Sequence, residues 1–341
     1  MRRKLVLAGI VTWGLIAALL VGIFVLMLTG VVSVPSFVAP DKIDLLREES
    51  FPLDGLVDLN IRCRTEDIRV TLSDGDIITV RQYGSADADL LFTSERTGSA
   101  LTISIPARSL SFSCLFRFWS NAYLEVALPS SYAQRLELTA VSGSVNLPGF
   151  VGSAITLSSV SGDIQVGNVA VTGDATLKNT SGDIRAADIQ AQNASLKTVS
   201  GDIRCGTLTL EGQAELGTTS GDIRADALHS QTYDVHSISG DISLQSALAG
   251  GGRLHTVSGN INAAGVVVTN PITAGSTSGD IRLALAYGQH CEFKMKSTSG
   301  DLRSNAPISR NRKEANGTVG DGGPDISAST VSGDITVDVT G

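Results

Sequence analysis

Short alternations of apolar and small polar residues recur along the second half of the chain, each centred on a Ser-Gly pair. Counted from that glycine, an apolar residue stands five positions before it and another stands two positions after it. Alternation with a period of two is typical of strands rather than helices. The first nine glycines are 19 to 21 residues apart, so the pattern predicts a repeat architecture. The glycines are Gly143, Gly162, Gly182, Gly201, Gly221, Gly240, Gly259, Gly279, Gly300 and Gly333.

One repeat cannot bury its own apolar positions, whereas stacked repeats turn each position into a continuous inward column. The sequence therefore predicts an all-β fold, a single-stranded β-solenoid of about 19–20 residues per coil. Neighbouring coils should lie about 4.8 Å apart, so ten coils would extend roughly 50 Å. We expect the glycine to supply the left-handed or bulged backbone that a corner needs.

An aspartate follows the glycine in eight of the ten copies, and arginine is frequent two residues further on. A carboxylate at a turn accepts backbone N–H bonds, and an arginine column would offset repulsion between stacked carboxylates. We therefore interpret the Gly-Asp pairs as structural corners. A calcium-binding solenoid and a carbohydrate-binding Asp/Arg face are the alternatives, although the glycine-rich nonapeptide of calcium-binding solenoids is missing. The pairs are Gly162 and Asp163, Gly182 and Asp183, Gly201 and Asp202, Gly221 and Asp222, Gly240 and Asp241, Gly279 and Asp280, Gly300 and Asp301, and Gly333 and Asp334; Ser144 and Asn260 replace the aspartate in the other two copies.

Two histidines, His236 and His255, occupy equivalent positions in adjacent coils, four residues before the glycine. Lysines at the same position in other coils indicate an exposed face. Two imidazoles are too few for a metal site, so the sequence predicts no metal and no cofactor. Because a uniform acidic ladder lacks the local, asymmetric groups of a catalytic cleft, we expect no enzyme; a polysaccharide-processing enzyme is the remaining catalytic alternative.

Residues 50–137 lack the motif but still alternate, which predicts irregular coils and a cap. A cap is needed because an open end exposes unpaired strand edges. The regular repeat then occupies residues 138–341, with an insertion at 306–324. The strands expected in the irregular part are Val57–Arg62, Ile68–Leu72, Ile77–Gln82, Leu101–Ile105 and Tyr123–Leu128.

Two departures from the repeat are candidate contacts for a partner. Five of the 16 aromatic residues fall between Phe112 and Tyr123. They either close the end of the core or form an exposed loop that touches a membrane or a protein. The insertion is rich in glycine and charge, which predicts a mobile surface loop that is either simply solvated or contacts an anionic polymer or headgroup. The candidate contact residues are Phe116, Phe118 and Trp119 in the first segment, and Arg310, Arg312 and Lys313 in the second.

The N-terminus is apolar enough to reach a membrane. No charge occurs between Lys4 and Asp41, and residues 5–30 are long enough to cross a bilayer as one helix. The basic residues before this stretch predict a cytoplasmic tail at 1–4 and an extracytoplasmic location for the rest of the chain, after a linker at 31–49. A cleaved signal peptide is the competing interpretation. We therefore expect a single-pass cell-membrane protein that contacts the lipid bilayer through residues 5–30.

Composition narrows the choice of partners. The chain has a formal net charge of −8 and no basic stripe with interleaved aromatics, which disfavours nucleic acid. Cys205 falls at an inward position and should be a small buried residue. Cys63 and Cys114 could pair in an oxidising compartment, but the sequence does not decide it.

The repeated Leu-x-Ser/Thr-x-Ser-Gly-Asp-Ile pattern, preceded by the segment Tyr123–Pro129, resembles the bacterial DUF4097 family of β-strand repeat proteins, which carry the label adhesin. The resemblance covers roughly residues 50–341. It implies a single-stranded β-helix at the bacterial surface or envelope, and some relatives are linked to envelope-stress signalling. It supplies no catalytic or ligand residues that could be transferred to this chain.

These observations favour a membrane-anchored surface solenoid that acts as a non-catalytic binding or structural module for an extracellular protein or glycan. The second hypothesis is an envelope-stress regulator that partners a membrane sensor.

Overall fold

The computed structural model describes residues 43–84, 90–106 and 122–340, and every regular element in these ranges is a β-strand. The all-β prediction is confirmed. The strands are β1 (Asp44–Pro52), β2 (Asp58–Arg62), β3 (Asp67–Ser73), β4 (Ile77–Gly84), β5 (Thr93–Thr97), β6 (Ala100–Ser104), β7 (Tyr123–Pro129), β8 (Arg135–Thr139), β9 (Val145–Gly152), β10 (Ala154–Ser158), β11 (Ile164–Val171), β12 (Asp174–Lys178), β13 (Ile184–Ala186), β14 (Ile189–Ala191), β15 (Asn193–Lys197), β16 (Ile203–Leu210), β17 (Gln213–Ser220), β18 (Ile223–Ser239), β19 (Ile242–Ser258), β20 (Ile261–Ser278), β21 (Ile281–Leu285), β22 (Cys291–Ser299), β23 (Leu302–Ser304), β24 (Ile308–Arg310), β25 (Glu314–Val319), β26 (Asp325–Ser332) and β27 (Ile335–Val339).

The predicted membrane segment, residues 5–30, lies outside these ranges. Within them, no helix has the length and apolar character that a bilayer crossing requires.

Consecutive coils stack in parallel, with equivalent residues of the repeat side by side. Leu157, for example, lies opposite Leu138 on one side and Leu177 on the other. Throughout the repeats, the apolar residues five before and two after the glycine are at most 2 % exposed. The alternation seen in the sequence therefore does form the continuous inward columns of a solenoid.

The irregular N-terminal part closes one end of this column. The five strands expected there are present as β2, β3, β4, β6 and β7. Two further strands, β1 and β5, run antiparallel to β4 and β6, while β4 itself runs antiparallel to β7. Strands β4 and β5 thus cover the backbone edges that β7 and β6, the outermost parallel strands at this end, would otherwise expose.

The coils do not stack in the order of the sequence at either end. At the N-terminal end, β2 lies between β6 and β8, and β3 between β7 and β9. At the C-terminal end, β26 lies between β20 and β22, and β27 between β21 and β23. The first and the last coil of the chain are therefore each held between two others.

The prediction of a mobile loop at 306–324 is wrong. Strands β24 and β25 form an antiparallel pair, and β25 also pairs with β22. Ala315 of β25 lies opposite Met295 of β22, and both side chains are fully buried. Because β22 is the last strand of the parallel ladder, its unpaired backbone groups provide the site on which β25 docks.

Candidate functional site

The corner glycines are required because the coils approach each other closely there. A Cβ added at any of the ten would lie under 3.0 Å from a backbone carbonyl oxygen of the adjacent coil. That oxygen belongs to the equivalent glycine in nine copies and to Glu66 in the case of Gly143. Of the ten, only Gly333 has a positive φ, 153°. Of the two expected corner conformations, left-handed or bulged, the left-handed one is therefore absent from the other nine, and there the missing side chain matters.

The motif aspartates form a hydrogen-bonded ladder along the corner. In seven of the eight, Oδ1 accepts the backbone N–H of the aspartate, or its replacement, in the next coil, at 2.7 to 2.9 Å, and the eighth, Asp301, ends the row in the outermost coil. Ser144 and Asn260 continue the ladder, because Ser144 Oγ accepts from Asp163 at 3.3 Å and Asn260 Oδ1 accepts from Asp280 at 2.8 Å. The two departures from the motif thus keep an acceptor in place.

The ladder begins one coil earlier than the motif does. Asp67 Oδ1 accepts the N–H of Ser144 at 2.9 Å. The Ser-Gly pattern does not reveal this residue, because Glu66 stands where the repeat has glycine. The pair Asp67 and Ile68, which matches the Asp-Ile of the motif, was the signal that could have revealed it.

A second, buried ladder runs behind the first. In nine of the ten copies, the polar residue three before the glycine donates a side-chain hydrogen bond of 2.7 to 3.1 Å to the carbonyl of the neighbouring coil's glycine. All of these residues are at most 7 % exposed. Each therefore satisfies a carbonyl in the interior that would otherwise lack a partner. They are Ser159, Asn179, Thr198, Thr218, Ser237, Thr256, Ser276, Ser297 and Thr330.

Arginines cover part of the aspartate ladder. Arg185 contacts Asp183 at 2.6 Å and Asp163 at 3.0 Å. Arg204, Arg224 and Arg303 each pair with the aspartate two residues before them, at 2.6 to 2.9 Å. The arginine side chains are 39 to 62 % exposed, so each pair contributes only about 0–1 kcal/mol to stability.

A shallow depression lies on the face formed by the strands that precede the corners. His236 lies opposite His255 in the parallel register, as expected. Glycines flank the pair: a Cβ at Gly217 would be 2.6 Å from His236 Nε2, and one at Gly275 would be 3.1 Å from His255 Nδ1. An open space of about 760 Å³ beside this pair is lined by His255, Gly275 and Arg253. Burial, then the nearby Arg253, lowers the pKa of His255.

Metal-ligand groupings are absent from this face. In residues 43–84, 90–106 and 122–340, no three His, Cys, Asp or Glu side chains are placed so that they could hold one ion.

The sequence matches the model of the family described as Toastrack DUF4097 over residues 57–218 and 212–338, which is most of the chain. This chain belongs to the DUF4097 family. The comparison with curated proteins gave no match.

Among solved structures, a "putative adhesin" from Parabacteroides distasonis ATCC 8503 is similar at 12 % identity and a TM-score of 0.45, over 88 % of this chain and 98 % of that one. A "putative adhesin" from Bacteroides fragilis NCTC 9343 is similar at 14 % identity and a TM-score of 0.40, over 88 % and 99 % of the two chains. A "putative lipid binding protein" from Parabacteroides distasonis ATCC 8503 gives 15 % identity and a TM-score of 0.39, over 86 % and 96 %.

The basic residues of the DUF4097 chain's insertion project from the C-terminal cap. Arg310 ends β24, and Arg312 and Lys313 lie in the turn before β25; all three are exposed. No ion pair engages them within the described part of the chain. The adjacent Glu314 forms an ion pair with Lys296 at 3.0 Å instead, and this contact lowers the pKa of its carboxyl group.

The three cysteines among the described residues of the DUF4097 chain are not exposed nucleophiles. Cys63, Cys205 and Cys291 are buried free thiols, which confirms the prediction for Cys205. Burial raises the pKa of the Cys205 thiol to about 12. Cys114 lies outside the described residues, as do Phe116, Phe118 and Trp119, so a Cys63–Cys114 disulfide stays as open as the sequence left it and the aromatic contact stays a prediction.

Proposed function

We propose that this DUF4097 chain is a non-catalytic binding or structural module, anchored in a bacterial membrane by residues 5–30 and exposed outside it. The observation that carries the proposal is that the repeated polar side chains are engaged in contacts within the solenoid. The motif carboxylates accept backbone N–H bonds between coils, and arginines cover part of the row. Groups engaged in this way support the scaffold and leave the faces of the solenoid for binding.

The chain enters the solenoid at the end opposite to the one that carries the insertion. Residue 43 enters β1 in the N-terminal cap, whereas β24 and β25 cover the opposite end. The parallel ladder between the caps runs from β6 to β22 over eleven steps, or about 53 Å at normal strand spacing.

The partner that suits this cap is an anionic glycan. Arg310, Arg312 and Lys313 are exposed, and no acidic side chain of the described residues neutralises them. Such a cluster attracts an anionic polymer by charge, even on a chain whose net charge is negative.

The anchored, outward orientation is tested by protease accessibility of the full chain carrying a C-terminal epitope. Intact protoplasts or spheroplasts treated with protease should lose the epitope while a cytoplasmic marker survives. An epitope that stays protected until the membrane is lysed contradicts the orientation.

The glycan contact is tested with alginate, an anionic polysaccharide, as the probe. Replacing Arg310, Arg312 and Lys313 together by glutamine should reduce retention of the full chain on immobilised alginate at least fivefold. The control replaces Arg64, Lys178 and Arg253 by glutamine, which removes the same charge from other exposed positions. Equal loss in both variants, or no retention of the parent chain, contradicts a contact at the cap.

A further inference from the structure

An exposed row of β-branched side chains follows the corner along the entire regular solenoid. The row, called the corner stripe, consists of the residues two before each corner glycine. Its six hydrocarbon members are 38 to 52 % exposed, and its four threonines are exposed as well. In spatial order the corner stripe is Val141, Val160, Thr180, Val199, Thr219, Ile238, Val257, Thr277, Val331 and Thr298.

Strand propensity alone does not explain this composition. β-Branched residues are favoured in strands generally. However, the outward positions four and six before the glycine, on the strands that lead into the corner, hold lysine, histidine, arginine, aspartate, glutamate, serine, glycine and threonine. Only the corner stripe is restricted to valine, isoleucine and threonine in all ten coils. An exposed apolar row bordered by charged columns marks an interaction surface.

The size of the corner stripe suits association with another copy. Nine steps between coils give a length of about 43 Å, and the columns on either side give a width of about 16 Å. The product is about 700 Å² per copy, close to the roughly 800 Å² per partner of a stable protein–protein interface.

We propose that two copies of this chain associate side by side through the corner stripe, pointing in the same direction and with equal coils in register. The inference concerns the solenoid alone and does not depend on the membrane anchor. A parallel pair does, however, place residue 43 of both copies at the same end.

Charges beside the corner stripe select this direction. On one side, four before the glycine, are Lys178, Lys197, His236 and Lys296; on the other side, one after the glycine of the same coils, are Asp183, Asp202, Asp241 and Asp301. A two-fold axis parallel to the solenoid brings the basic column of each copy against the acidic column of the other. An axis across the solenoid would instead oppose like columns, which is unfavourable.

Two of these groups lack an internal counter-charge. Lys178 is exposed and has no ion pair among the described residues. Asp241 has no arginine beside it, because Ser243 takes the place that arginine holds in neighbouring coils. In the parallel pair, His236 of the partner copy would face Asp241, and the partner's Asp183 would face Lys178.

Disulfide trapping tests both the contact and its direction, because a two-fold axis along the corner stripe places each of its residues opposite its own copy. The full chain, carrying Cys114→Ser and kept in detergent, is oxidised with Val160→Cys or with Val331→Cys. Each variant alone should form a covalent dimer, and Val151→Cys, which is exposed on another face, should not. An antiparallel pair would cross-link only a mixture of the Val160→Cys and Val331→Cys chains, and that pattern overturns the proposal.

Introducing positive charges into the corner stripe is the second test. Val199→Lys together with Ile238→Lys should weaken the dimer at least tenfold in sedimentation equilibrium of the full chain in detergent, with the melting temperature preserved because both side chains are half exposed. Val151→Lys is the control and should leave the dimer intact. A parent chain that sediments as a monomer, or a dimer unaffected by the two lysines, overturns the proposal.

Discussion

At the scale of single residues, the repeat is explained by close approach and by hydrogen-bond acceptors. The glycines allow neighbouring corners to touch, and the aspartates accept a backbone N–H from the next coil. The sequence predicted which residues point inward, because alternation directly reports the side of a strand. It did not predict why glycine is needed at the corner, because the close contact there is between residues about 20 positions apart in the chain.

Gly221→Ala should destabilise the solenoid by about 2–3 kcal/mol, because the added methyl group meets the carbonyl oxygen of Gly201 and the coils must separate. Urea unfolding followed by circular dichroism measures the loss. Ser220→Ala, at the exposed neighbouring position, is the control and should change stability by less than about 0.5 kcal/mol. Similar stability of the two variants would contradict the close-approach explanation.

The pH dependence at His255 follows from the lowered pKa of its imidazole. A folded-state pKa below the ordinary 6.5 means that the unfolded chain binds the proton more tightly, so stability falls as the pH drops through and below 6.5. His255→Gln should reduce this loss, as measured by melting temperature between pH 7.5 and pH 5. A variant with the same pH dependence as the parent would assign the loss to other groups.

At the scale of elements, the caps contain strands that the repeat pattern does not predict. The insertion suggested a loop because glycine and charge dominate it. Its strand β25 pairs with the exposed edge of β22. Strand β22 is at the edge only because β26, from the last coil of the chain, lies between β20 and β22. Local composition does not contain that information, whereas the five N-terminal strands were predictable from their own alternation.

Ala315→Asp should detach β25 from the cap, because Ala315 is fully buried opposite Met295 and an aspartate there would be a buried, unpaired charge. Hydrogen exchange should become at least tenfold faster in those amides of residues 291–297 that face β25, such as the N–H of Ser297, which donates to the carbonyl of Lys313. Asn316→Asp, at the next and exposed position, is the matched control and should leave exchange unchanged. Continued protection of β22 in the Ala315→Asp chain would show that β25 does not cover it.

At the scale of the whole molecule, the ladder continues through both changes of coil order. Asp334 accepts from Asp301 and donates to Asp280, so the final coil completes the row between two earlier ones. Repeat spacing predicted the solenoid and its approximate length. It did not predict this order, because the coils carry nearly equivalent motifs, so the motif alone does not distinguish one neighbour from another.

The coil order can be tested with pairs of exposed serines. Ser332 lies directly opposite Ser278 in adjacent parallel strands, within the Cα separation that a disulfide spans. The double variant Ser278→Cys/Ser332→Cys should therefore oxidise within one chain. Ser278→Cys/Ser299→Cys should not, since the final coil separates these strands. The reverse result would show that the coils stack in the order in which they occur in the sequence, which contradicts the structure.

The central claim is that the motif aspartates hold the solenoid together as acceptors rather than bind a ligand. The most direct measurement is the melting temperature of Asp222→Asn/Asp241→Asn beside that of Asp222→Ala/Asp241→Ala. Asparagine keeps the acceptor, as Asn260 does in the native chain, so the first variant should melt within about 1 °C of the parent. Alanine leaves the N–H groups of Asp241 and Asn260 without their acceptors and should cost about 2 kcal/mol. An alanine variant that melts with the parent would contradict the account.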